Sequence, residues 1–195
     1  AALSALDADV VGLEEIEAST RFGKPRDAAL ADLVEALNEV DGAGTWAFVP
    51  SPSSVPADED VIRTAFIFKP AVLELVGESV ILQGSPAFSN AREPLAQAFR
   101  PVGEDGVFVA IVNHFKSKSA GNASGADADQ GDGQGAYNAA RVAQATALVE
   151  FADQVAADAG TESVFLLGDF NAYGHEDPLK VIEAAGYVDQ AAKTG

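Results

Sequence analysis

The sequence predicts an α/β (α+β) fold made as one domain over residues 1–195. Three observations carry that expectation. Short apolar runs alternate with amphipathic stretches along the whole chain. Hydrophobic residues make up 48% of the 195, enough for a sizeable core. No apolar run reaches membrane-spanning length, and no repeat of solenoid period is present.

The elements follow in order. A helix is expected from the first residue, and residues 10–13, Val-Val-Gly-Leu, read as a buried strand. Residues 27–40 place Leu30, Leu33, Val34 and Leu37 at helical spacing. Residues 45–49 read as a strand closed by a Pro/Ser turn at 50–56. Residues 61–68 and 72–82 read as two strands, expected as antiparallel neighbours, with a weaker strand at 92–100. Residues 107–115 are a strong strand candidate. The longest helix is expected over 138–157, with Val142, Ala145, Leu148, Val149 and Ala152 on one stripe. A strand at 164–167 precedes a short helix at 178–185 that carries Pro in its first turn. Residues 119–136 are rich in Gly, Ala and Asp and are expected to form a flexible surface loop. Asp127, Asp129 and Asp132 lack the Gly and Glu spacing of a calcium loop.

Composition narrows the chemistry. Cysteine is absent, which excludes disulfides, thiolate metal sites and a Cys nucleophile. Only His114 and His175 are available, so a multi-His zinc site is not expected. With 12 basic and 30 acidic residues the net charge is −18, which repels a polyanion at long range. Solubility, or adaptation to salt, accounts for most of that charge. A few carboxylates could instead hold a divalent cation that bridges to phosphate.

Four constellations carry polar chemistry. Glu14, Glu15 and Glu17 follow the first buried strand, where a carboxylate suits a hard cation. For Glu14 and Glu17 taken singly, a solvated acidic turn is the better account. Asn113, His114, Lys116 and Lys118 end the strand at 107–115. A His there can contact a phosphate oxygen or shuttle a proton, although a lone His is usually bonded to a backbone carbonyl. Two of only six lysines lie beside it. Asn138, Arg141 and Gln144 share one helical face. Substrate binding there stands level with N-capping by Asn138 and a solvated Arg. Asp169 and Asn171 close the strand at 164–167. Being two apart, their side chains can converge on one point beyond the sheet edge. Taken alone, they could equally form a strand-end turn. Together, a carboxylate, a His and an Asp/Asn pair at three strand ends suit metal-assisted attack of water on a phosphoester.

The chain resembles the endonuclease/exonuclease/phosphatase superfamily of the DNase I-like fold. The matching stretches are residues 10–17 (VVGLEEIE), 112–118 (VNHFKSK) and 167–173 (LGDFNAY). The large bacterial secreted nucleases are the most similar subgroup, through residues 113–118, 131–135 with Tyr137 and Asn138, and 171–178. The resemblance implies a four-layer α/β/β/α sandwich, incomplete at both ends in this chain. It implies Glu15 as the ligand of Mg²⁺ or Mn²⁺ and His114 as a contact to the scissile phosphate. It implies that Asp169 and Asn171 orient water and stabilise the transition state. Asn113, Lys116, Asn138 and Arg141 are further candidates for substrate binding.

The implied activity is hydrolysis of DNA, or of RNA, with low sequence selectivity by a secreted, extracellular enzyme. No membrane or protein partner is expected. A phosphomonoesterase or lipid/sugar phosphatase on the same fold is the first rival, and a non-catalytic salt-adapted binding domain the second. Three departures stand out. Glu14 replaces the Gln usual before the metal Glu. Asn122 and Ala136 stand where the subgroup often has cysteines flanking its Gly/Asp-rich loop. The family's Asn-bearing first strand would precede Ala1, and its late Asp–His pair would follow Gly195. His175 is no substitute, because Glu176 follows it and no Asp precedes it. The isolated chain is therefore expected to be an internal piece of the domain, with little or no activity.

Overall fold

The computed structural model describes residues 2–194. Two sheets lie face to face, with helices on the outer side of each. The first sheet has the order β1 (Val10–Glu17), β3 (Ile62–Phe68), β2 (Ala47–Phe48), and all its pairings are antiparallel. The second has the order β4 (Leu73–Ile81), β5 (Arg92–Pro101), β6 (Phe108–His114), β7 (Val164–Asp169). Its first three strands are antiparallel, and β7 joins β6 in parallel.

The helices are α1 (Ala2–Leu6), α2 (Ala28–Asp41), α3 (Asn138–Ala159), α4 (Asp177–Ala184) and α5 (Gln190–Thr194). The helix expected from the first residue begins at Ala2, and Ala1 lies outside the described residues. Leu30, Val34 and Leu37 of α2 pack on Trp46, Ala65 and Ile67 of the first sheet. Ala145, Leu148, Ala152 and Val155 of α3 pack on Ala96, Val109 and Ile111 of the second. Between the sheets lie Phe66, Phe68, Leu73, Ile81, Phe99 and Val112. These three apolar layers produce the α/β/β/α arrangement, with alternate residues of each strand feeding opposite layers.

One expectation fails here. Strands β3 and β4 are not hydrogen-bonded neighbours. The short connection at 69–72 carries the chain from one sheet to the other. Both strands place apolar side chains inward, so Phe66 and Phe68 stack on Leu73 and Ile81 across the inter-sheet core. The weaker strand at 92–100 is in fact a central strand, and six consecutive residues of it, from Pro94 to Phe99, are buried. Segment 45–49 contributes only the two-residue β2.

Two irregularities prepare the functional rim. In β1 the pairing jumps from Leu13↔Ala65 to Ile16↔Arg63, which leaves Glu14 and Glu15 in a bulge. Glu15 has φ 59°, a left-handed conformation that a non-glycine residue holds only at some cost. In β5 the pairing jumps from Arg92↔His114 to Leu95↔Val112. Pro94, which has no N–H to donate, sits inside that step. Each bulge re-aims the charged residues beside it.

Candidate active site

Parallel pairing of β6 and β7 sets His114 directly beside Asp169. His114 Nε2 lies 4.0 Å from Asp169 Oδ2. His114 is 6% exposed, and its Nδ1 is buried without a hydrogen-bond partner. Burial lowers its pKa, and Arg92 adds to that shift. Asp169, Glu15 and Asp60 offset it only in part, so the imidazole is neutral at pH 7. Asp169 is half exposed. Its Oδ1 accepts the Asn171 N–H at 2.8 Å, which leaves Oδ2 facing His114 and solvent. Asn171, at φ 47°, turns back to donate from Nδ2 to the Phe115 carbonyl at 3.0 Å. It thereby ties together the two segments that leave the strands.

The β1 bulge brings Glu14 and Glu15 to the same rim. Gly12 permits this approach, since a Cβ there would stand 3.1 Å from Val112 Cγ2. Glu15 is exposed. Glu14 lies against Gly168, and its Oε1 would be 2.9 Å from a Cβ at that position. Burial raises the Glu14 pKa, with the charges of Asp169 and Glu15 adding to it and a backbone hydrogen bond opposing it. The stability that Glu14 contributes is therefore fully present below the ordinary value of 4.5 and is lost as pH rises through the folded value. The Glu14→Gln variant is expected to melt about 1–2 °C higher than wild type at pH 7. That gain should vanish towards pH 4 in a pH series of thermal melts.

The remaining candidates divide. Asn113 is fully buried and donates from Nδ2 to the Leu167 carbonyl, so it staples β6 to β7. Arg141 is also fully buried. Its guanidinium donates to the carbonyls of Ala136 and Gln134 at 2.8 Å each and of Lys116 at 3.3 Å. It is not a solvated Arg; it holds the chain after His114 against the Gly/Asp-rich segment. Gln144 supports it by accepting the Lys116 N–H at 2.8 Å. Asn138 opens α3 and donates to Asp177 at 3.2 Å. The Lys116 ammonium stands over the Tyr137 ring, 4.6 Å from its centroid. Within segment 119–136, Asp127 accepts the Ala140 N–H at 2.8 Å, and Asp129 and Asp132 accept backbone N–H groups of local turns.

Arg92 escaped the sequence reading. It faces His114 across the β5–β6 pairing, and its Nε is buried without a partner. Its only local signal is an arginine that opens a strand in a chain with six.

No metal-type cluster of three or more side chains closes on one point among the described residues. The oxygen donors present nevertheless suit Mg²⁺. That ion keeps several waters and takes one or two carboxylates together with substrate phosphate, and Glu15 is free at the rim to supply one.

Carboxylate oxygen on one strand end, with a neutral imidazole and a guanidinium facing it, is the equipment of metal-dependent phosphoesterases. The chain belongs to the Endonuclease/Exonuclease/phosphatase family, whose model matches residues 1–194. The human Nocturnin catalytic domain, solved with bound sulfate, superposes with TM-score 0.57 at 19% identity, covering 91% of this chain and 56% of that one. Zebrafish (D. rerio) TDP2 complexed with single-strand DNA product gives TM-score 0.51 at 14% identity, covering 97% and 56%. The mannosyl-6-phosphatase of Bacteroides thetaiotaomicron gives 0.59 at 13%, covering 95% and 59%. At these identities the likeness concerns the fold. The chain spans about half the length of these structures. No curated protein sequence matches it.

Proposed function

We propose that this chain is the core of a secreted, Mg²⁺- or Mn²⁺-dependent phosphodiesterase domain that cuts nucleic acid, DNA or RNA, with low sequence selectivity. The observation that carries the reading is the pairing of His114 with Asp169 at the rim where the β1 bulge presents Glu15. Glu15 would hold the cation, which when bound polarises the phosphoryl group and offsets its charge. Asp169 has one oxygen fixed by the Asn171 N–H and the other free to accept a proton from attacking water. Neutral His114 can donate to a non-bridging phosphate oxygen, and Arg92 can add charge-assisted donors beside it. Nucleic acid is favoured over a small phosphoester because Glu15 and Asp169 stand exposed at the rim and because the motifs resemble those of the bacterial secreted nucleases. The secreted location rests on the resemblance to bacterial nucleases.

The test is a substrate panel on the natural protein that carries these residues, with Mg²⁺ or Mn²⁺ present. Plasmid DNA or single-stranded RNA should be degraded and p-nitrophenyl phosphate left intact. The reverse pattern would establish the phosphatase alternative. Degradation of plasmid DNA should be abolished in Glu15→Ala, and activity surviving in that variant would take the cation-holding role away from Glu15.

A further inference from the structure

Three arginines line a small cleft beside the rim, together with Glu59, Asp60 and Glu93. Two of them are locked into the frame. Arg26 forms a forked pair with Glu59, and the two side chains are 11% and 10% exposed. Arg63 donates to Asp27 at 2.8 Å and to the Arg26 carbonyl at 3.2 Å. Arg92 is held differently. Its Nη2 meets a single carboxylate oxygen, Asp60 Oδ2, at 3.0 Å, and the Asp60 side chain is 50% exposed. The other Asp60 oxygen accepts the Val61 N–H at 2.7 Å. The guanidinium that faces His114 is thus engaged through Nη2 by a removable partner, while its buried Nε has no partner.

A carboxylate and a phosphate offer a guanidinium the same forked pair of oxygens. We propose that Asp60 is an internal competitor for the phosphate seat on Arg92, held there until a phosphoester displaces it. The proposal rests on the phosphoesterase reading of the rim. Asp60 reaches the pair from a half-exposed position where solvent screens much of its attraction, so a phosphate with fuller charge and more acceptor oxygens removes it. A weak anion does not. Asp60 in this way sets the affinity of the site and raises the threshold against small carboxylates and halides. Glu59, whose side chain is 10% exposed, could not leave Arg26 in this way without stranding a charge out of water, and Asp27 is tied to Arg63 and to both the N–H and the hydroxyl of Ser51.

The experiment is titration of inorganic phosphate into the chain at low salt, read by NMR at the Arg92 Nε–H and the His114 ring. Asp60→Asn should tighten phosphate binding about two- to fivefold. Asp58→Asn removes the same charge from the same segment at a side chain 95% exposed, and should leave the affinity unchanged. Arg92→Ala should erase the gain when added to Asp60→Asn. The proposal is overturned by unchanged, weaker or undetectable binding in Asp60→Asn. It is equally overturned by equal tightening in Asp58→Asn, which would mark a bulk charge effect. Absence of phosphoester hydrolysis by the natural protein would remove the functional reading while leaving these phosphate affinities interpretable.

Discussion

Gly168→Ala is expected to lower the melting temperature by about 6–12 °C, the equivalent of roughly 3 kcal/mol in a domain of this size. Gly168 has φ 115°, outside the range that an L side chain tolerates. An added Cβ would stand 2.1 Å from the Asn113 carbonyl oxygen, 2.9 Å from the Asn113 nitrogen and 2.9 Å from Glu14 Oε1. The first two are backbone atoms and cannot swing aside. The β6–β7 pairing must open at the step that holds His114 against Asp169. Calorimetric or circular-dichroism melts read the first effect, and a shifted His114 ring signal reads the second. A variant that melts like wild type would show that β7 can slide at no cost, and the registered rim would not be a fixed feature.

Asp169→Asn is expected to reduce turnover of nucleic acid by the natural protein by about 10²–10⁴-fold, the usual range for loss of a general base. The replacement keeps an oxygen to accept the Asn171 N–H, so the melting temperature should stay within about 2 °C. That pairing of outcomes separates chemistry from folding. Steady-state rates on plasmid DNA with Mg²⁺, measured beside melts of both proteins, check it. Turnover within tenfold of wild type would take the proton-accepting role away from Asp169.

The three motif-bearing strand ends were legible in the sequence because each combines an apolar run with an abrupt polar stop. That pattern places His114 and Asp169 at strand ends. Glu15, expected just past a strand at 10–13, lies instead in a bulge inside β1, which pairs on to Glu17. The fold brings all three to one rim. The two long helices were legible from spacing and differ from expectation by two residues or fewer at either end. The sheet assignment of β3 and β4 was not. An apolar strand says that it wants burial, and it does not say whether its neighbour lies beside it in a sheet or across from it. Arg92 was hidden for a related reason. Only the register of β5 on β6, displaced by the Pro94 bulge, puts it opposite a residue 22 positions further on. Arg141 misled because a charged side chain on a helix usually faces water. Three backbone carbonyls from one irregular loop are what permit its full burial.

The outer edge of β7 has a consequence for the −18 charge. No strand lies beyond β7 among the described residues, and Phe165 on it is 52% exposed. An unpaired strand with an exposed ring is a template on which another chain can lengthen the sheet. Two copies approaching edge to edge must first bring two strongly acidic bodies together, and that repulsion acts over a distance set by ionic strength. For these 195 residues taken alone, the surplus of carboxylates that hinders the approach of a polyanion also opposes the edge-to-edge approach of a second copy.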